Sequence, residues 1–401
     1  MNFVKRRGCV FVFLMFFCTV FFLINSVVFA EEVGEIMQEE DKLPKQLRAV
    51  VLSAHEVENE EKEYSGGILE VKTQLLEVKI LEGAHKGEII KAQNSLNSFN
   101  DAYNITISKG QEVFVYINEG MDGTIESAYV AEIVRDKYIL YLLIAFILSM
   151  LVVGRMKGFK ALISLAITFF AVIYIMLPLF LKGYNPIIVS VPICVGVIVI
   201  TLLLVSGVNK KSFAAIIGTA GGVIIAGVIA ILMGYVTNMT GLGSEEAQML
   251  QFTPLDIKLN FKGLLFAGIL IGAMGAIMDV GISIASSLTE VAAARDDIST
   301  KDLIKSGMNV GRDILGSMSN TLILAYTSAS IPLLLLTMAY KVSFIEMINW
   351  EVVASEIVRA LSSSIGLVIT VPLTAVAAAT LLNKKSVEID KDRGCGVNDG
   401  N

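Results

Sequence analysis

The chain is 401 residues long, 54% hydrophobic and only 17% charged, against roughly 25% charged in soluble domains. Apolar runs of more than about 18 residues recur, so it reads as a multi-pass membrane protein and soluble enzymology is excluded. The formal net charge of −6 gathers in the N-terminal part while the short loops between apolar runs are basic, and no uniformly basic surface invites nucleic acid.

Residues 1–30 carry Lys5, Arg6 and Arg7, an apolar run from about Val10 to Ile24, and a small-residue ending at Val28-Phe29-Ala30. This order predicts a signal peptide, with an uncleaved anchor as the alternative; either places the next segment outside the cell. No Cys follows the cleavage point, so a lipoprotein is not expected. Cys9 and Cys18 fall in this run, Cys194 in a membrane helix and Cys395 in the tail. They share no compartment, and neither a disulfide nor a cysteine metal site is expected. The only histidines, His55 and His85, read as surface residues, and no cofactor is implied.

Residues 31–136 form the next unit. After an acidic lead-in to about residue 46, short β-like runs occur at 48–54, 69–80, 88–92, 112–117 and 128–134, punctuated by glycines such as Gly83, Gly87 and Gly110. Several alternate polar and apolar residues, which predicts a small antiparallel barrel, OB-like in size. It lacks the aromatic-plus-basic cluster of an oligonucleotide-binding barrel, so it reads as a folded spacer or as a binding module for a ligand or protein partner.

Residues 137–385 are the membrane part, with about seven helices predicted at 138–154, 159–181, 186–208, 212–236, 262–288, 312–340 and 352–382. Arg155, Lys157, Lys160, Lys210, Lys211, Arg295, Lys301, Lys305, Arg312, Lys384 and Lys385 fall on one side, and Lys182, Lys258, Lys262 and Lys341 on the other. The positive-inside rule makes the first set cytoplasmic. An external N-terminal domain followed by seven crossings also leaves the 386–401 tail inside a bacterial plasma membrane. Gly218, Gly221, Gly222 and Gly227 permit close helix packing in the small-xxx-small manner. The loop 237–261, with Thr237-Asn238-Met239-Thr240-Gly241-Leu242-Gly243, is a candidate gate.

Chemistry concentrates in 262–330, read as two membrane helices around a charged loop of some twenty residues. Gly268, Gly272, Gly275, Asp279, Ser283, Ser286 and Glu290 follow one another at spacings of three and four and so share a helix face. Asn309, Asp313, Gly316, Asn320 and Thr327 repeat the pattern on the second helix. An Asp inside a spanning helix costs at least about 2.5 kcal/mol, so it faces protein or a wet cavity. Counting from Lys262, Asp279 lies roughly 25 Å along its helix, toward the cytoplasmic side. Two readings stand open. One is structural, with Asp279 paired to Arg312 or Asp313 capping its own helix. The other is a cation or proton relay through Asp279. The glycines are either a packing groove or room for water or substrate. On the seventh helix Glu356 and Arg359 are three apart and can pair, as a secondary, interfacial site.

Gly272-Ala273-Met274-Gly275-Ala276-Ile277-Met278-Asp279-Val280-Gly281 with Ser286-Ser287-Leu288-Thr289-Glu290, and Gly311-Arg312-Asp313 through Asn320 to Tyr326, resemble the YibE/F-like family of bacterial multi-pass membrane proteins. The resemblance covers roughly 130–385, and the β segment is similar to that of the family's longer members. It implies an integral membrane protein, a transporter or permease component, and supplies no established catalytic residues. The leading expectation is therefore an ion-coupled permease working on an unknown small solute or ion through Asp279, Asp313, Asn320, Ser283, Gly272 and Gly275, alone, as a homo-oligomer or with a paralogous membrane subunit. The chain has no Gly-x-x-x-x-Gly-Lys-Ser/Thr loop for ATP. The alternative is a non-transporting sensor or assembly scaffold whose barrel binds a ligand or partner. An intramembrane aspartyl protease on Asp279 and Asp313 lacks the Gly-x-Gly-Asp pattern, and no enzyme activity is expected.

Overall fold

The computed structural model describes residues 45–55, 59–64, 67–97, 105–120, 123–253, 258–295 and 297–382. The expected leader at 1–30, Cys9, Cys18, Cys395, Lys384, Lys385 and the 386–401 tail lie outside the described residues. The chain divides into two compact units, residues 1–152 and 153–401.

The first unit holds β1 (Lys45–His55), β2 (Asn59–Tyr64), β3 (Gly67–Ile80), β4 (Ile89–Asn97), β5 (Glu112–Glu119) and β6 (Ile125–Ile133). The strand order is β1-β5-β6-β4-β3-β2, and β1 also pairs β3. Five strands therefore close into a small barrel, and β2 hangs outside it on β3. Two details depart from the sequence reading. The barrel is not wholly antiparallel, since β4 and β6 run parallel at Gln93↔Tyr129. The sixth strand, Asn59-Glu60-Glu61-Lys62-Glu63-Tyr64, has no apolar alternation to announce it; pairing with β3 alone makes it a strand.

Alternation does announce the others. Val113, Val115 and Ile117 point inward from β5 to meet Ala49, Val51, Leu76, Val78 and Ala92, each large side chain contributing about 1.5–3 kcal/mol by burial. Gln74 is polar yet 2% exposed. Its amide donates to Ile107 O at 2.8 Å and accepts from the Ile107 N–H at 3.0 Å, which fixes the 105–107 segment across the barrel. Arg48 donates to Glu112 at 2.9 Å and to Asp136 at 2.8 Å, and Lys137 also pairs with Glu112. Lys137 and then Arg48 hold the Glu112 carboxyl below the usual range, and the network ties the start of the first helix to the barrel. His85 is not a plain surface residue: its side chain is 14% exposed, with Glu88 at 3.1 Å and Glu119 at 3.3 Å.

The helices are α1 (Asp136–Phe170), a π segment (Ala171–Met176), α2 (Leu177–Leu181), α3 (Pro186–Ser206), α4 (Lys210–Val236), α5 (Glu245–Gln251), α6 (Phe261–Ala294), α7 (Thr300–Ala329), α8 (Ile331–Ala339), α9 (Phe344–Asn349) and α10 (Glu351–Leu382). Starts follow capping chemistry. Asn185, Asn209, Ser244, Asn260, Ser299 and Ser343 each accept a backbone N–H from the first turn of the helix that follows, satisfying a donor the helix cannot.

Among the described residues, five helical runs are long and apolar enough to cross a membrane, or six if α7 and α8 make one bent span. The two helices predicted at 138–154 and 159–181 stand within the 46-residue stretch Asp136–Leu181 as two helices joined across a kink at Arg155, which is non-helical (φ 47°, ψ −130°). The predicted twenty-residue loop shrinks to 295–299, because α7 begins at Thr300 rather than near 312. Leu303, Gly307 and Gly311 are buried at intervals of four, and an added Cβ at Gly307 or Gly311 would strike Ala375 or Val371 of α10. An amphipathic face thus makes helix where mean polarity reads as loop.

In the second unit α4, α6 and α10 pack on one another, α7 lies against α10 and α6, and α3 lies against α6 and α4. Ile277, Val280, Ile284 and Leu288 of α6 are fully buried in this core. Every face of α6 is thereby covered except one.

Candidate functional site

The uncovered face is the predicted stripe. Gly268, Gly272, Gly275, Asp279 and Glu290 are all exposed, with Ser283 and Ser286 partly so. The packing-groove reading fails within this chain for two of the glycines: nothing lies within 4 Å of a Cβ built on Gly268 or Gly275. Gly272 differs, since its Cβ would fall 2.7 Å from the Tyr326 hydroxyl of α7.

Two contacts give the antiparallel register of α6 and α7. Gly272 faces Tyr326, and Gly307 faces Leu288. Asp279 is then level with about Ser317–Ser319 and Asp313 with about Ser283, which separates the two carboxylates by roughly 8 Å along the axis at 1.5 Å per residue. Asn320 falls near the level of Ile277. Like Asp279, residues Asn309, Arg312, Asp313, Gly316, Ser317, Asn320 and Thr321 are exposed, so α7 continues the polar face of α6.

Both structural explanations offered for the acids are corrected. Asp279 has no ion pair with Arg312, whose Nη1 donates instead to Asn309 Oδ1 at 3.2 Å. Asp313 cannot cap its helix, because α7 starts thirteen residues earlier with Ser299 as its cap. Along α6, which runs on to Ala294, Asp279 falls near the middle.

A second cluster lies toward the Phe261 end of α6. Glu356 and Arg359 pair as expected, at 3.2 Å, with side chains 27% and 29% exposed. The guanidinium also sits 6.0 Å from the Tyr326 ring centroid, a cation–π arrangement. Arg359 Nε, the Tyr326 hydroxyl and Ser363 Oγ are buried without hydrogen-bond partners. Arg359 lies eight residues into α10, about 12 Å from its start.

Two cavities meet there. One, about 290 Å³, is bounded by the 241–247 segment, the start of α6 and Arg359; the other, about 300 Å³, lies between α7, α8, α9 and α10, and Glu356 lines both. The segment over the first is latched. Glu351 accepts from Thr240 N–H at 2.8 Å, Thr240 Oγ at 2.8 Å and Gly241 N–H at 2.7 Å. Beside the second, the chain breaks: α7 and α8 are bent by 60° at Ser330, with Pro332 in the first turn of α8.

The sequence reading missed Tyr326 and the Glu351 latch. A Tyr in the middle of a predicted span, away from the aromatic belts at helix ends, was the available signal for the first. The latch joins residues about 110 apart, and no local pattern carries it. Chemically, the arrangement offers exposed carboxylates along α6 and α7, unpaired donors at their upper end, and an interrupted helix between. No cluster of three or more His, Cys, Asp or Glu able to hold a metal occurs among the described residues.

A family model described as YibE/F-like protein matches residues 142–384, the helical part. A second, described as YibE/F family N-terminal domain, matches residues 42–133, the barrel. Neither a curated protein nor a solved structure matches the chain.

Proposed function

The chain belongs to the YibE/F-like family, and from that premise we propose that it is a secondary transporter or permease component with an ion- or proton-coupled path between α6 and α7. The carrying observation is the broken helix. A 60° break between α7 and α8 stands beside Glu356, and Ser330 at the break lines the same cavity as that residue. Interrupted membrane helices are tolerated where they line a cavity, and transporters build substrate and ion sites from them. Below the break, the open face of Gly268, Gly275 and Asp279 leaves room for water beside a carboxylate.

The reading carries a topology. A straight 46-residue run would be about 69 Å long, more than twice an apolar core of about 30 Å. Turning at Arg155 makes it two crossings and, with α7 and α8 as one bent span, gives seven. The basic residues Lys210, Lys211, Arg295, Lys301 and Lys305 then face the cytoplasm, with the barrel outside the plasma membrane. The barrel's strand order, a three-strand meander closed through a parallel contact, supports the OB-like reading. A second copy or a paralogous membrane subunit covers whatever part of the α6 face does not line the path.

The test is proton and sodium flux into liposomes carrying the purified protein, wild type beside Asp279→Asn. Wild type is expected to conduct, and a well-inserted Asp279→Asn to lose at least nine-tenths of the flux. Normal flux in the variant removes Asp279 from the path. No flux in either protein turns attention to the barrel as the binding part of a sensor.

A further inference from the structure

We propose that Arg359 is the anion-recognition residue of a binding site at the Phe261 end of the helical unit, and that its ligand is an amphipathic anion, a single carboxylate or phosphate on an apolar body. The site lies on the path proposed above and rests on that reading for its role in transport, though not for binding.

The argument starts from surplus donors. A guanidinium presents five N–H donors in a rigid fork. Glu356 is the only acidic contact of Arg359 among the described residues, through Nη1 at 3.2 Å, and Nε is buried with no partner. The Tyr326 hydroxyl beside it is also buried and unpartnered, as is Ser363 Oγ one turn further along α10. Each unsatisfied buried group costs about 1–3 kcal/mol. An incoming carboxylate or phosphate in the first cavity, which Arg359 lines, supplies acceptors for the guanidinium's free N–H groups and matches the fork two oxygens at a time. A cation supplies none.

The cavities say what else the ligand carries. Ser244, Glu246 and Ser355 line the first cavity with Arg359, whereas Ile323, Leu334, Phe344, Met347 and Leu361 line the second. Glu356 forms the wall between them. A headgroup seated on Arg359 therefore has the few polar groups of the first cavity, such as Ser244 and Ser355, beside it and apolar wall in both cavities for its body. It also competes with Glu356 for the guanidinium, so that occupancy releases Glu356 and opens the wall.

The full chain in phosphatidylcholine nanodiscs tests this with octanoate and octyl phosphate as probes and octyltrimethylammonium as control. Binding is read by thermal shift and by the emission of Trp350, the only tryptophan, which precedes α10 between Ile348 and Val353 of the second cavity's lining. The anionic probes are expected to raise Tm and perturb Trp350, and the cation to do neither. Arg359→Gln should abolish the response. Arg359→Lys, which keeps the charge and loses the fork, should weaken binding at least tenfold, and Glu356→Gln should tighten it severalfold. A response that appears in phosphatidylglycerol nanodiscs alone, and needs Arg359, assigns the anion to a lipid headgroup instead of a solute. A folded Arg359→Gln that binds octanoate like wild type overturns the proposal. So does a Glu356→Gln variant that loses binding, because the ion pair would then be purely structural; this arm decides even if Arg359→Gln does not fold. Binding is read without flux, so the two proposals fail separately.

Discussion

Gly218 and Gly222 of α4 and Gly268 and Gly275 of α6 are both glycine pairs on one face of a helix, yet they end in opposite surroundings. A Cβ on Gly218 would lie 1.8 Å from Thr374 Oγ1 and 2.8 Å from the Thr374 Cα, and one on Gly222 would lie 1.8 Å from Thr370 Oγ1 and 2.9 Å from Gly366 O. On Gly268 and Gly275 it would meet nothing within 4 Å. Spacing makes a helix face flat; it does not say whether another helix of the same chain will use it. On α4 the flat face is a seam. On α6 it flanks Asp279 and is left for something other than this chain's own helices.

A third glycine bounds the comparison from above. Gly241 has φ +82°, and its Cβ would fall 2.3 Å from Phe261 O. Gly241→Ala therefore meets a left-handed backbone cost of about 1–2 kcal/mol together with a clash against backbone that cannot rotate away. The loop can escape by leaving Glu351, so the loss should be local. Hydrogen exchange should show protection at 240–243 falling at least tenfold while the helices keep theirs. Unchanged protection would mean the Glu351 latch is not what holds the segment.

Gly222→Ala is the intermediate case. Alanine gains about 1 kcal/mol over glycine in a helix interior, but overpacking a filled seam costs about 1–3 kcal/mol. Thr370 cannot simply turn aside: it is 0% exposed, and its hydroxyl donates to Gly366 O at 2.8 Å. The clash should win, and melting in detergent should fall by several degrees. An unchanged or higher melting temperature would show that α4 and α10 are not in close contact.

This contrast also marks what the sequence could tell. The α6 stripe was legible residue by residue, because a helical period alone decides which side chains share a face. So was the Glu356–Arg359 pair. The closed barrel was legible as alternating strands, but its parallel β4–β6 contact was not, since alternation carries no strand direction. The start of α7 was misread because Lys301, Asp302 and Lys305 lower mean hydropathy while Leu303, Gly307 and Gly311, which make the contact, are too few to offset them. Which glycines are packed is a property of pairs distant in sequence, such as 222 with 370, and no single stretch contains it.

Gly275→Ala should have the smallest effect on stability and is the sharpest test of the comparison. The added methyl meets no neighbour in the chain, and helix propensity favours it by up to about 1 kcal/mol, so melting should be unchanged or slightly higher, opposite in sign to Gly222→Ala. Gly275 sits one turn from Asp279 on the same open face, however, and a methyl there narrows whatever space borders the carboxylate. Flux should then fall while stability does not. If melting instead falls as far as in Gly222→Ala, the face is packed in the membrane after all, and the only material available to pack it is a second protein surface. In that outcome Asp279 belongs to an interface between membrane subunits, and the path would have to run through the Arg359 cluster alone.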